Sequence, residues 1–427
     1  MNKNDESWDV IIIGAGPAGS SAATLLAEHG HRVLLIERSR FPRYHIGESL
    51  LPFTFQPLER LGLIDEMRQS AFVKKHSVQF VNESGKASQP FYFSTRYPED
   101  VAQTWQILRS EFDEMLLTKA ISKGAEVRQE TQVQALLRVE GRVSGVIAKG
   151  KDGQEYELHA KMVLDASGKE AFSAVRNRWR VKDPELNKVA VWTYYEGAAR
   201  DEGIDAGATT VAFVPERGWF WYIPQHNDRV SVGVVAEGKY LSRDGIRDPK
   251  SMFNREVEQN KWIKDHLAVG HQVGDYYITS EYSFHSKHCG EEGLLLVGDA
   301  FAFLDPVFSS GLMLALKSGV MAADAVHEAL TENDFNPERY LEYSQHLREG
   351  LENMRKLVYA FYDPNFSFKA LTMKYPDLAG DVTDCLSGDV NRDFSKLFDA
   401  VSDFCDVPET LPYGAPLASE TATAMAS

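Results

Sequence analysis

The sequence contains few cysteines, and their spacing follows no functional pattern. Cys289, Cys385 and Cys405 are an odd number, and none belongs to a CxxC motif. This arrangement indicates neither a disulfide framework nor a cysteine-based metal site. We therefore expect no metal, and the reducing cytoplasm as the compartment.

Long hydrophobic runs are also missing. No apolar stretch approaches the roughly 20 residues needed to span a bilayer. The first ten residues are polar and lead directly into a strand pattern, which is not typical of a secretory signal. The sequence therefore predicts a soluble protein with no membrane partner.

Positive charge is in deficit. There are 46 Lys and Arg residues against 62 Asp and Glu residues, giving a formal net charge of -16. This balance argues against binding to nucleic acid or to an anionic membrane. It is also unfavourable for an acidic carrier protein as partner, unless a local patch such as Arg38, Arg40 and Arg43 provides the contact.

The sequence is long enough to form more than one lobe. It has 427 residues, of which 43% are hydrophobic and 25% charged, as in a globular protein. A chain of this length exceeds one ordinary core. No internal repeat is present, and the end from Pro408 onwards, rich in Ala, Thr and Ser, is typical of a loose tail.

A nucleotide-binding pattern lies at the N-terminus. Val10 to Ile13 predicts a buried strand, Gly14 to Gly19 reads GAGPAG, and Glu37 ends the next strand. Glycines permit a tight turn and let backbone amides approach a pyrophosphate at the helix N-terminus, while the acidic residue can bind ribose hydroxyls. The residues predicted to hold the dinucleotide are Gly14, Gly16, Pro17, Ala18, Gly19, Glu37 and Arg38.

Two further motifs distinguish FAD from NAD. Gly298-Asp299-Ala300 follows a strand pattern and resembles the motif with which glutathione-reductase-type flavoproteins hold the ribityl chain, and Arg109 begins an R-x-x-F-D pattern. No second GxGxxG is present for a nicotinamide. From about residue 8 to 404 the chain thus resembles the FAD-dependent aromatic hydroxylase superfamily.

The resemblance implies an α/β fold in three parts and a tail. We expect a glutathione-reductase-type, Rossmann-like FAD-binding domain, an antiparallel-sheet substrate domain and a helical C-terminal region. Their predicted ranges are 1–75, 101–185 and 285–330 for the first, 76–100 and 186–284 for the second, 331–405 for the third and 406–427 for a flexible tail.

Three segments narrow the resemblance to the flavin-dependent halogenases of phenols and pyrroles. Residues 47–52 read GESLLP, like the strap that covers the flavin, residues 219–224 match W-x-W-x-I-P, and residues 305–311 read DPVFSSG, like the halide-holding segment. The resemblance implies cofactor contacts by Gly47, Glu48, Ser49, Arg109, Asp299, Pro306, Gly311 and Leu312. It implies halide contacts by Ser310 and Gly311, and a substrate tunnel with Trp219, Trp221 and Phe308.

Lys75 is the candidate catalytic residue. Halogenases resemble one another in placing a Lys five residues before an aromatic, as Lys75 lies before Phe80, although Lys74 competes for the role. The family commonly has a small residue or Gly where this chain has His76 and Ser77. An ammonium in a dry tunnel could polarise hypohalous acid or capture it as a haloamine.

The resemblance also implies the other reactants. Reduced FAD would come from a separate flavin reductase, with oxygen and chloride or bromide as co-substrates. Phe308 stands where tryptophan halogenases carry a Glu that acts as general base, which disfavours indole. A phenol or a pyrrole, free or tethered to an acyl carrier protein, fits better, with His45 or Tyr44 as a possible base.

Two other functions remain open at this point. A reductase or hydroxylase like the geranylgeranyl reductases would share the early motif and the Phe41-Pro42-Arg43 stretch, and would couple NAD(P)H oxidation to its substrate. A flavin-binding scaffold without catalysis would lose the tunnel lysine or the cofactor glycines, and both are retained.

Overall fold

A computed structural model describes residues 7–216, 218–280 and 283–418. Over these residues the strands are β1 (Ser7–Ile13), β2 (Val33–Ile36), β3 (Val73–Lys75), β4 (Ser77–Val81), β5 (Phe91–Tyr92), β6 (Thr104–Gln106), β7 (Glu126–Arg128), β8 (Gln132–Val139), β9 (Arg142–Lys149), β10 (Glu155–Asp165), β11 (Arg180–Lys182), β12 (Lys188–Glu196), β13 (Thr209–Val214), β14 (Gly218–Pro224), β15 (Arg229–Glu237), β16 (His271–Ser280), β17 (Phe284–Ser286), β18 (Gly290–Glu291), β19 (Leu294–Leu296) and β20 (Ala302–Phe303). The α-helices over the same residues are α1 (Pro17–Glu28), α2 (Phe55–Arg60), α3 (Ile64–Gln69), α4 (Glu99–Ala102), α5 (Arg109–Ser122), α6 (Phe172–Arg176), α7 (Gly238–Leu241), α8 (Pro249–Val257), α9 (Lys261–Leu267), α10 (Ser310–Glu332), α11 (Leu341–Tyr362), α12 (Phe368–Lys374), α13 (Ala379–Ser387) and α14 (Ser395–Ser402).

The first sheet is built around parallel strands. Its central order is β18-β19-β10-β1-β2-β7, with β1 parallel to both β2 and β10. The inner strands are nearly continuous runs of Val, Ile and Leu because helices cover both faces of such a sheet. Helices α1 and α10 pack against each other, so segments about 300 residues apart in the chain form one lobe.

The second sheet has seven strands in the order β16-β12-β15-β14-β13-β4-β5. All its pairs are antiparallel except β13 with β4. Its strands are rich in Val, Tyr and Trp, which suit a pleated, half-buried surface. The predicted α/β class with a separate antiparallel sheet is confirmed, while the finer domain boundaries stay a prediction.

Helices α11 to α14 form the helical C-terminal region. The Tyr343 hydroxyl of α11 donates to the carbonyl of Leu296 in β19 over 2.7 Å, which joins this region to the first sheet. Within the segment predicted to be loose, the Gly414 and Leu417 amides donate to carbonyls at Lys287 and Gly290. Residues 419–427, the end of that segment, lie outside the described residues.

The described part of the chain contains neither a membrane-spanning helix nor a metal-binding cluster. Among the described residues, no helix combines the length and the apolar character needed to cross a bilayer. In the same part of the chain, no group of three or more His, Cys, Asp or Glu side chains is placed to hold a metal ion.

Candidate active site

The three glycines of the GAGPAG turn differ in what surrounds them. Gly14 has a φ of +98°, and a Cβ atom there would lie 2.5 Å from the carbonyl oxygen of Ala166. A Cβ on Gly19 would overlap the Gly14 carbonyl. For a Cβ atom added at Gly16, by contrast, the nearest atom would be an Arg43 side-chain nitrogen at 3.5 Å. The fold itself therefore needs Gly14 and Gly19, whereas Gly16 leaves open space at the N-terminus of α1.

Glu37 lies beside this turn. Its carboxylate accepts hydrogen bonds from the backbone amides of Ala15 at 3.0 Å and Ser39 at 2.8 Å. Each carboxylate oxygen has a second lone pair, so the group can still accept from ribose hydroxyls. Neighbouring Arg38 forms an ion pair with Glu170 at the protein surface.

A large cavity, called the main cavity below, runs between the two sheets and has a volume of about 560 Å³. It collects residues that lie far apart in the chain. The predicted cofactor residues that line it are Gly14, Gly16, Pro17, Ala18, Glu37, Arg38, Gly47, Glu48, Ser49, Arg109, Asp299, Pro306, Gly311 and Leu312. Gly19 does not line it, because it packs against the turn behind.

Arg43 also lines the main cavity, although the motif analysis did not place it there. Its Nη1 atom lies 3.2 Å from Asp113 Oδ2, and its side chain is largely buried. A cation beside the open space at Gly16 is suited to a pyrophosphate. Arg43 is therefore largely buried, unlike the exposed Arg38 and Arg40, and a carrier contact by this patch stays a prediction.

Arg109 holds the GESLLP strap. Its guanidinium pairs with Asp113 through two bonds of 2.8 and 3.0 Å, and it donates to the carbonyls of Ile46 at 2.7 Å and Gly47 at 3.2 Å. Gly47 itself has a φ of +99°, a conformation that favours glycine. The strap is thereby fixed along one side of the main cavity.

Asp299 lines the same cavity, directly after strand β19 of the first sheet. Burial raises the pKa of its carboxyl to about 7, although Arg109 and Lys169 act against this rise. A cavity-facing carboxyl of this kind is well satisfied by hydroxyl donors, such as those of a ribityl chain. Together with the space at Gly16, this donor and acceptor pattern fits FAD.

Lys75 is fully buried at the end of β3, whereas Lys74 is exposed. The Lys75 Nζ atom donates to Ser49 Oγ at 2.9 Å and to the carbonyl of Leu50 at 3.0 Å, and it lies 5.5 Å from the centre of the Phe93 ring. Burial lowers its pKa to about 7. Of the two candidate lysines, only Lys75 has the environment of a reactive amine.

Lys75 lines a second, smaller space of about 30 Å³, called the Lys75 chamber below. Its other walls are mostly apolar and include Phe80, Phe91, Phe93 and Phe308. Four residues line both this chamber and the main cavity: Thr209, Val211, Val307 and Ser309. The two spaces are therefore neighbours separated by a thin wall.

Replacing Lys75 by Met should change how the stability of the protein depends on pH. Between the folded pKa of about 7 and the ordinary lysine pKa of 10.5, the unfolded chain binds a proton that the folded chain does not. The free energy of unfolding of the wild type therefore rises with pH across this window.

At roughly 1.36 kcal/mol per pKa unit, the wild type gains about 3 kcal/mol relative to Lys75→Met between pH 6.5 and pH 9.5. Urea unfolding of both FAD-free proteins at pH 6.5 and 9.5 measures the difference. Parallel pH dependences for the two proteins would contradict a buried Lys75 with a lowered pKa.

The predicted tunnel residues fall into two groups. Trp219 and Trp221 line the main cavity, and their indole nitrogens donate to Tyr362 at 2.8 Å and to Ser231 at 3.1 Å. Phe308 lines the Lys75 chamber instead. The two indoles are thus held in place in the wall of the main cavity, and neither lines the Lys75 chamber.

Helix α10 begins at Ser310, directly after Ser309, which has a φ of +56°. Gly311 lines the main cavity, whereas the Ser310 side chain is buried and does not line it. Amide groups in the first turn of a helix have no partner within the helix, and the helix dipole favours an anion there. The arrangement can accept a halide through backbone amides.

His45 and Tyr44 are the alternative bases, and both line the main cavity rather than the Lys75 chamber. Burial and the neighbouring Arg109 lower the pKa of His45 to about 3. Burial raises the pKa of Tyr44. Neither group is therefore placed to remove a proton from a ring held beside Lys75.

Comparison with known proteins gives three concordant results. Residues 7–351 match the family described as FAD binding domain. The chain is 32% identical over 386 residues to the 1H-pyrrole-2-carbonyl-[peptidyl-carrier protein] brominase of Pseudoalteromonas luteoviolacea, covering 90% of this chain and 92% of that protein. It is 31% identical over 410 residues to the corresponding chlorinase of Pseudomonas fluorescens, covering 91% and 90%.

The chain belongs to the FAD-binding family and, within it, to the flavin-dependent halogenases. The solved structure of the flavin-dependent brominase Bmp2 superimposes on this halogenase with a TM-score of 0.83 at 29% identity, covering 93% of this chain and 97% of that one. These relatives favour halogenation over the reductase, hydroxylase and scaffold alternatives.

As a flavin-dependent halogenase, the enzyme uses reduced FAD, oxygen and chloride or bromide to halogenate an electron-rich aromatic ring. The main cavity and the Lys75 chamber give this structure two neighbouring compartments. An oxidant can form in one compartment and meet the ring in the other.

Proposed function

We propose that Lys75 is the catalytic residue of this halogenase and that its substrate is a pyrrole or phenol ring, delivered on a carrier protein. The observation that supports the proposal is the position of Lys75, buried beside the main cavity and bonded only to neutral oxygens. A separate flavin reductase would supply reduced FAD.

The main cavity would hold FAD through the residues that line it. Gly16 and Arg43 would receive the pyrophosphate, Glu37 the ribose and Asp299 the ribityl hydroxyls. Bound in reduced form, the cofactor supplies the two electrons with which oxygen converts halide to hypohalous acid. The halide would rest against the amides of Ser310 and Gly311 before that step.

Trp219 and Trp221 would keep the aromatic substrate away from the cofactor. Both indoles are nearly fully buried in the wall of the main cavity and are fixed by hydrogen bonds. A ring that cannot reach the cofactor cannot be hydroxylated there. The oxidant must then travel to the ring, which is halogenated in the Lys75 chamber.

Lys75 would act on the hypohalous acid. As an ammonium it can donate a hydrogen bond to the oxygen and polarise the halogen, and as a neutral amine it can capture the halogen. Because its pKa is lowered to about 7 by burial, both forms are populated near neutral pH. The aromatic walls exclude water from this encounter.

The chamber walls favour an apolar ring over a free amino acid. Among the described residues that line the chamber, Lys75 is the one charged group, and Phe308, which by resemblance stands where tryptophan halogenases have a Glu, also lines it. A zwitterionic substrate would find no carboxylate in these walls to pair with its ammonium group. The names of the brominase and chlorinase relatives support a pyrrole tethered to a carrier protein.

At about 30 Å³, the chamber has room for one or two water-sized molecules. A pyrrole or phenol ring must therefore displace some of the phenylalanine side chains when it enters. Phe308 contacts Phe361 and Phe368, which belong to helices α11 and α12. We expect the C-terminal region to adjust to the ring.

Mass spectrometry of reaction products tests the proposal. The purified protein would be supplied with FAD, a generic flavin reductase, NADH, oxygen and bromide, and offered either free activated phenol or pyrrole-2-carbonyl carrier protein. We expect brominated carrier-bound pyrrole. If only the free phenol were brominated, the proposed delivery of the ring on a carrier protein would be wrong. If flavin oxidation yielded only peroxide with both substrates, the proposed substrate class would be wrong.

A further inference from the structure

Two buried hydroxyl groups touch each other in the wall between the main cavity and the Lys75 chamber. Ser49 Oγ and Thr209 Oγ1 lie 2.9 Å apart. Both residues line the main cavity, and Thr209 also lines the Lys75 chamber. Lys75 Nζ donates to Ser49 Oγ at 2.9 Å, and Gln106 Nε2 donates to Thr209 Oγ1 at 2.8 Å. These four side chains, Lys75, Ser49, Thr209 and Gln106, are called the hydroxyl chain below.

The orientation of the Gln106 amide is fixed by a second contact. Its Nε2 atom also donates to the carbonyl oxygen of Gly207 at 2.9 Å. A backbone carbonyl can only accept, so the nitrogen of this amide must face both Gly207 and Thr209. Thr209 therefore receives a hydrogen bond from Gln106 and cannot donate to it.

One hydroxyl hydrogen of the hydroxyl chain takes part in no hydrogen bond. Ser49 and Thr209 carry one hydroxyl hydrogen each, and a single hydrogen lies in the bond between them. With Lys75 in its ammonium form, Lys75 and Gln106 act only as donors to this pair. The second hydroxyl hydrogen thus has no acceptor in the described part of the chain, although a buried donor without one costs about 1–3 kcal/mol.

We infer that Ser49 and Thr209 form a transfer site that passes hypohalous acid from the main cavity to Lys75. The unused hydroxyl hydrogen can donate to the oxygen of the hypohalous acid. While Thr209 donates to Ser49, the unused hydrogen belongs to the Ser49 hydroxyl. When both hydroxyls rotate so that Ser49 donates instead, the unused hydrogen is that of Thr209, which lines the Lys75 chamber. This inference rests on the proposed role of Lys75.

The transfer site would also explain why the oxidant is not lost. Of the other residues shared by both spaces, Val211 and Val307 have no polar side-chain atom, and Ser309 lies outside the hydroxyl chain. A hydroxyl pair at this wall gives hypohalous acid a polar contact until Lys75 receives it. No covalent bond forms or breaks during the transfer.

Thr209→Val tests the inference because it removes the hydroxyl while nearly conserving shape, and Thr209→Ser is the matched control that keeps it. We expect Thr209→Val to oxidise reduced flavin at the wild-type rate but to form about tenfold less halogenated product, the effect of one lost hydrogen bond. The missing halogen should appear in solution, trapped by an amine scavenger as a haloamine. Thr209→Ser should form as much halogenated product per reduced flavin oxidised as the wild type.

Two outcomes would overturn the inference: unchanged product yield in Thr209→Val, or lost product with no rise in trapped halogen. Nuclear magnetic resonance of the lysine side chains in the FAD-free protein adds a structural control. The Lys75 signal, assigned with Lys75→Ala, should stay in place in Thr209→Val, and its displacement would show a structural effect instead. Should Lys75→Ala itself still halogenate the ring, the proposed role of Lys75 would fail separately.

Discussion

Replacing Lys75 by Ala is expected to abolish ring halogenation while the oxidation of reduced flavin continues. Lys75 lies outside the main cavity, behind Ser49, so its loss leaves the proposed cofactor contacts intact. It removes the one charged group that lines the chamber among the described residues. Groups that handle protons or polarise a reactant typically contribute 100-fold or more, so we expect product formation to fall by at least about 100-fold.

The measurement compares halogenated product, by mass spectrometry, with flavin oxidation, followed by absorbance, in the same sample. Lys74→Ala is the matched control, because Lys74 precedes Lys75 in the chain and is exposed. It should halogenate like the wild type. Ring halogenation that persists in Lys75→Ala, or disappears in Lys74→Ala, would refute the assignment of the catalytic lysine.

Replacing Gly16 by Val is expected to remove FAD binding without unfolding the protein. The protein itself leaves space at Gly16, where the nearest atom to an added Cβ is an Arg43 nitrogen 3.5 Å away. The valine side chain would fill the space proposed for the pyrophosphate at the N-terminus of α1. A clash of about 3 kcal/mol already weakens binding roughly 100-fold, and we expect at least this loss.

Equilibrium titration with FAD, followed by flavin fluorescence, measures the affinity, and circular dichroism checks the fold. Gly19→Val provides the contrast. A side chain there would overlap the Gly14 carbonyl, so this variant should be unstable as well as unable to bind. If Gly16→Val were isolated with a full complement of FAD, the proposed pyrophosphate position would be wrong.

Much of the main cavity could be predicted from the sequence because its motifs are local. A strand, a glycine turn and a helix encode a nucleotide site within about 30 consecutive residues. The predicted cofactor residues, apart from Gly19, do line one cavity. Arg43 was missed because a single arginine in a loop carries no spacing signal, and its neighbours Arg38 and Arg40 made it resemble a surface patch.

The choice between Lys74 and Lys75 shows where sequence reasoning stopped. Two adjacent lysines differ little in a sequence, but in strand β3 their side chains point to opposite sides. Only the paired strand β6 and the strap above it show which side is buried. The same limit applies to His45 and Tyr44, whose position in the main cavity depends on how the strap folds back.

The sequence by itself determined the fold class, the FAD site and the halogenase resemblance, because each rests on short motifs whose local geometry is set by glycine, by strand and helix periodicity and by charge. Only the tertiary structure placed Lys75 in a separate chamber and brought Ser49, Gln106 and Thr209 together beside it. Those contacts join residues from four distant segments. Burial and hydrogen bonding between such segments depend on how the two sheets pack, and no local pattern records them.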